Sequence, residues 1–173
     1  IKTSTGLGNF LPWPGAEPVN GAVSTAEDEC IINYTHVQPT GVRTIALDYN
    51  NDVWVGGTGN KMHEKLSGFS GAPIPGTAFT GQGMAGGYGG LIDGNNVLWS
   101  ANWLLRVDLN TLGACTVGCG TDLGNQCGYY GIPADPCTGN IWVTAGNRVF
   151  VHDPFGACLV AGGFSTLVAG AFN

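Results

Sequence analysis

Three tryptophans, Trp54, Trp99 and Trp142, stand 45 and then 43 residues apart, and each closes the same kind of word. The first word is Ile45-Ala46-Leu47-Asp48-Tyr49-Asn50-Asn51-Asp52-Val53-Trp54-Val55. The second is Gly90-Leu91-Ile92-Asp93-Gly94-Asn95-Asn96-Val97-Leu98-Trp99-Ser100. The third is Ile132-Pro133-Ala134-Asp135-Pro136-Cys137-Thr138-Gly139-Asn140-Ile141-Trp142-Val143. The aspartate precedes its tryptophan by 6, 6 and 7 residues. Each tryptophan is followed within seven residues by a basic one: Lys61, Arg106 and Arg148. Further along, Gly113-Ala114-Cys115 matches Gly156-Ala157-Cys158, with Gly71-Ala72-Pro73 in the corresponding place.

A repeat of this length constrains the fold more than composition does. Each unit reads as strand, polar turn, strand, Gly-Asn turn, strand, loop and a weaker fourth strand. The apolar runs are short and rich in Val, Ile, Leu and Trp, which favours strand over helix. Asp, Asn and Gly close tight hairpins because they tolerate positive φ and bond their own backbone. Four short strands per 40–50 residues are the signature of a propeller blade. The expected fold is all-β, a β-propeller with about three four-stranded blades plus partial blades; a sandwich or solenoid is the alternative. The blades fall at 41–85, 86–127 and 128–173, after an irregular segment or partial blade at 1–40. Residues 44–48, 90–93 and 131–135 are the expected innermost strands, and 53–57, 97–101 and 141–145 their hairpin partners. Three blades are too few for the usual ring of four or more. Further chain, another subunit or an atypical blade from residues 1–40 is expected to complete it. The chain also begins at Ile1, as a processed product or fragment would.

Composition excludes several function classes. Charged residues are only 10% of the chain and the formal charge is −6. The six Lys and Arg residues form no cluster, which argues against nucleic acid and anionic membrane surfaces. No apolar run approaches the roughly 20 residues of a membrane span. Six cysteines, with no Cys-x2-Cys pair, point to disulfides rather than zinc. At least two are expected, drawn mainly from Cys115, Cys119, Cys127, Cys137 and Cys158. That chemistry makes an oxidising compartment, extracellular or periplasmic, the expected location, to which the common glycosylation word Asn33-Tyr34-Thr35 adds only weakly.

The words around Trp54 and Trp142 resemble blades of streptogramin lyase-like, NHL-type and bacterial sensor-ectodomain propellers, over roughly residues 40 to 160. Such blades serve lyases, hydrolases, sensors and scaffolds alike. The lyase resemblance implies a metal held by His and Glu near the ring axis. His36, His63 and His152 fall at non-equivalent points of the repeat, so it carries no catalytic residue onto this chain.

Candidate sites follow from the repeat. The tryptophans are expected to pack between blades. Lys61, Arg106 and Arg148 are either strand-edge charges or a basic ring around the axis. The turn 48–52 has the alternating oxygens of a calcium loop without its downstream Glu, so calcium is the one cofactor to consider. His63 and Glu64 are neighbours on a strand and should face opposite ways. The loops entering the innermost strands and those joining second and third strands share one face. They bring together Arg43, Tyr88, Asn102, Trp103, Tyr129 and Tyr130, flat aromatic surfaces with Arg and amide donors suited to a carbohydrate or peptide. The expected function is a binding or assembly module with a ligand or a protein partner. The alternatives are a lyase or hydrolase acting at the axis, and a component of a surface layer or appendage.

Overall fold

The computed structural model describes residues 34–81, 85–117, 130–145, 148–154 and 169–171. The chain divides into two compact units, 1–36 and 37–173, and of the first only 34–36 are described. No described residue is helical.

Among the described residues the larger unit contains three antiparallel sheets. β1 (Val42–Leu47), β2 (Val53–Gly57), β3 (Met62–Leu66) and β4 (Phe79–Thr80) form the first in chain order. β5 (Gly90–Ile92), β6 (Val97–Ser100), β7 (Leu105–Asp108) and β8 (Gly113–Thr116) repeat that order in the second. The third joins β9 (Ile141–Ala145), β10 (Arg148–His152) and β11 (Ala169–Ala171). The expected innermost strand at 131–135 is reduced to an isolated bridge between Ala134 and Ile141. Pro133 and Pro136 have no N–H to donate to a ladder, so the segment cannot pair continuously.

The turn between first and second strands is built alike in each unit. Asp48 Oδ1 accepts the amides of Asn50 and Asp52 at 2.9 and 3.0 Å, and Asp93 Oδ1 those of Asn95 and Val97 at 2.8 and 3.1 Å. Asp135 Oδ1 accepts the Cys137 amide at 2.9 Å. Each turn passes through a left-handed residue, Asn51 (φ 60°), Asn96 (φ 60°) or Gly139 (φ 75°), the residue types that adopt this region most readily. The first unit departs from the second at its outer strand. Ile74 donates to the Lys65 carbonyl, where the second unit pairs Arg106 with Cys115. After that the chain detours through Pro75-Gly76 and resumes as β4.

Alternation along the strands divides the packing. Ala46 and Trp54 of the first sheet meet Leu98, Leu105 and Val107 of the second. Val97 and Trp99, on the opposite face of the second sheet, meet Ile132, Ile141, Val143 and Phe150 of the third unit. Trp54 and Trp99 are 2% and 1% exposed. The expectation for Trp142 is corrected: it is 39% exposed. Ile141 and Val143 take the face toward the second sheet, so Trp142 points the other way. There it lies with Pro133, Thr144 and Val149 along an open, mainly apolar groove. No helix among the described residues is long and apolar enough to cross a membrane.

Candidate functional site

The equivalence drawn between Lys61, Arg106 and Arg148 does not survive in the strand register. Trp54 pairs with Lys65, Trp99 with Arg106 and Trp142 with Val151. Lys61 lies outside β3 in a left-handed conformation (φ 58°) and Arg148 opens β10, so neither holds the register position of Arg106. Gly-Asn-(Lys/Arg) words in the first and third units had masked the true alignment, because each tryptophan and its partner on the third strand stand 11, 7 and 9 residues apart (65 − 54, 106 − 99 and 151 − 142).

Lys65 also explains the acidic turn. Its ammonium bridges Asp48 Oδ2 at 2.8 Å and Asp52 Oδ2 at 3.0 Å. The Gly68 amide and then Lys65 hold the Asp52 carboxyl below the usual carboxylate range. Burial alone would lower Lys65, but its hydrogen bonds to Asp48 and Asp52 outweigh that and raise it. The Asp48 and Asp52 carboxylates of this turn are thus engaged by amides and an ammonium group.

His63 and Glu64 do face opposite ways. Glu64 accepts the backbone amide and the Nε2 of Gln38, both at 3.0 Å. His63 is fully buried between the first two sheets, with Nε2 2.9 Å from Ser100 Oγ. Ser100 Oγ lies 3.0 Å from Thr44 Oγ1 and accepts the Gly87 amide at 2.8 Å. Burial pushes the imidazole down to about 4. This network joins two blades, and its side chains are buried from solvent. Sequence reasoning missed it because Thr44 and Ser100 lie 56 residues apart.

The loop face carries the clearest site. Arg43 Nη1 donates to the Tyr88 hydroxyl at 2.9 Å, and its guanidinium lies 4.9 Å from the centre of the Tyr88 ring. Tyr88 packs edge-on against Tyr130 with ring centres 4.8 Å apart. With Thr58 and Asn102 these residues line an open cavity of about 330 Å³. Two glycines allow the loops to converge. Gly87 has φ +97°, and a Cβ there would strike the Gly57 carbonyl; a Cβ on Gly89 would strike the Tyr130 carbonyl. The loop bearing Tyr88 therefore sits directly against backbone of the preceding and following units.

Of the expected residues, Arg43, Tyr88, Asn102 and Tyr130 come together, and Thr58 joins them from the loop between β2 and β3. Trp103 is adjacent in sequence to Asn102 but does not line the cavity, and it is 38% exposed. Asn102 and Trp103 both have positive φ, 76° and 57°. That is the backbone of a tight hairpin. For a bulky side chain such a conformation is strained. Tyr129 lies outside the described residues.

Similar architecture occurs in solved lyases. Virginiamycin B lyase from Staphylococcus aureus superposes with a TM-score of 0.53 at 21% identity, covering 69% of this chain and 40% of that enzyme. A catalytically inactive form of the Staphylococcus aureus enzyme with quinupristin gives 0.55 at 20% identity, covering 71% and 41%. A streptogramin B lyase gives 0.54 at 18% identity, covering 72% and 41%. No family model and no curated protein sequence matches the chain. The fold is that of a β-propeller, and the chain spans about two fifths of the length of these enzymes.

Proposed function

We propose that the protein is a propeller-type binding module that recognises a polar organic ligand, a carbohydrate or a peptide, on its loop face. The observation that carries this reading is the contact of Arg43, Tyr88 and Tyr130, which brings residues of three successive repeats to one surface. Aromatic faces and edges beside amide and guanidinium donors match such ligands, which combine apolar ring or side-chain surface with directional polar groups. The test is a glycan and peptide array probed with the full chain, with each hit remeasured on Tyr88→Ala and Asn102→Ala. Hits are expected to weaken at least tenfold in both variants. Hits unaffected by either variant would place binding elsewhere, and an array without hits would remove the reading.

An extracytoplasmic location belongs to the same proposal. It is supported by the cysteine content and by Cys115, which is disulfide-bonded. Cys137, counted among the expected partners, is instead a free and exposed thiol. Assembly is part of the proposal too, supported by the Trp142 groove: the equivalent tryptophans are each covered by the following unit.

A lyase is the second reading, favoured by the enzymes whose fold this chain shares. Its test is incubation with quinupristin. An unchanged chromatographic peak after prolonged incubation would dismiss that substrate.

A further inference from the structure

We infer that the ligand of the loop-face cavity bears a carboxylate, and that Arg43 receives it. This rests on the binding reading above and narrows it to a chemical class.

Arg43 is exposed, yet its orientation is set by a hydrogen bond and a ring contact to one residue, Tyr88. Acidic residues outnumber basic ones 12 to 6 in this chain, so an arginine near a carboxylate is the ordinary case. Lys65 pairs with Asp48 and Asp52, whereas Arg43 pairs with no acid among the described residues. Its remaining N–H groups are arranged in the planar fork that matches a carboxylate.

The neighbours extend that donor set. The Tyr88 hydroxyl accepts from Arg43, which leaves its own hydrogen to donate to an oxygen in the cavity. The Asn102 side chain lines the same space and offers two further N–H donors. Thr58 Oγ1 spends its hydrogen on the Gly41 carbonyl at 3.2 Å, so toward the cavity it presents lone pairs, as an acceptor for a ligand hydroxyl or amide. The lining thus offers donors from Arg43, Tyr88 and Asn102, and acceptors from Thr58 and the Asn102 amide oxygen. A carboxylate with a neighbouring O–H or N–H complements this arrangement. A volume of about 330 Å³ is at the small end for organic ligands, the size of a monosaccharide or a dipeptide end. Two sources share the chemistry, an acidic sugar and the C-terminus of a peptide.

The experiment is calorimetric titration of the full chain with four probes: galacturonic acid, its methyl ester, trialanine and trialanine amide. One exposed ion pair contributes little by itself, so the forked geometry and Tyr88 must supply the discrimination. The acid of one pair is expected to bind at least about tenfold more tightly than its neutral counterpart. Which pair shows the difference identifies the source. Arg43→Gln should abolish the preference, Arg43→Lys should keep part of it, and Tyr88→Phe should reduce it. Denaturation midpoints establish that each variant is folded. Equal binding of acid and neutral probes, or a preference that survives Arg43→Gln, overturns the inference and leaves the binding reading standing. No binding by any of the four probes overturns the inference, while array hits among neutral ligands would still support the broader reading.

Discussion

Asp93 accepts the indole N–H of Trp99 at 2.8 Å, whereas the equivalent carboxylate of the first sheet, Asp48, turns to the Lys65 ammonium at 2.8 Å. The two repeats share their turn and their tryptophan but not the bond between them. The Trp54 indole nitrogen is buried without a partner as a result.

Replacing Trp99 by Phe should therefore destabilise the protein more than replacing Trp54 by Phe. Both changes remove similar apolar volume, but only the first strands a buried carboxylate oxygen. The expected difference is about 1–3 kcal/mol in urea denaturation. Equal losses would mean that the Asp93–Trp99 bond contributes nothing net.

Stability should fall on mild acidification because of His63. Its folded value, lowered from 6.5 to about 4 by burial, means that the unfolded chain takes up the proton first. The contribution is complete above pH 6.5, drains as pH falls, and is fully lost near pH 4. That interval corresponds to about 3 kcal/mol. Urea midpoints measured across this range for the wild type and His63→Gln test it. The slope attributed to His63 must disappear in the variant; parallel curves would refute the assignment.

Thiol labelling should separate the described cysteines. Cys137 reacts with a maleimide in the native state, because it is a free and exposed thiol in a surface turn. Cys115 should react only after reduction. Peptide mapping of the labelled sites checks both, and native labelling of Cys115 would contradict the disulfide.

Trp142 should become protected as the protein assembles. It occupies the place that Trp54 and Trp99 hold in their own units, but it is 39% exposed. Acrylamide quenching of the wild type, with Trp142→Phe subtracted, should decline with rising protein concentration, and Trp142→Ser should weaken association in sedimentation. A monomer at every concentration, with Trp142 fully quenchable, would remove self-association from the proposal.

Much of this architecture was legible in the residue order. Asp, Asn and Gly at fixed distances before each tryptophan encode their own turns through local backbone bonds, so hairpins and repeat length need no distant contact to be specified. The loop face was legible for the same reason: Arg43, Tyr88, Asn102 and Tyr130 sit at points the repeat itself makes equivalent or adjacent. Other features depend on what lies across the sheet or between sheets. Whether Lys61 or Lys65 matches Arg106 is set by strand register, which a one-residue change in turn length alters. Whether Trp142 is covered depends on a following unit, not on its own word. The Thr44–Ser100–His63 network and the Asp48–Lys65 pair form because distant polar groups removed from water must find partners where packing brings them together. Only the tertiary structure decides which groups those are.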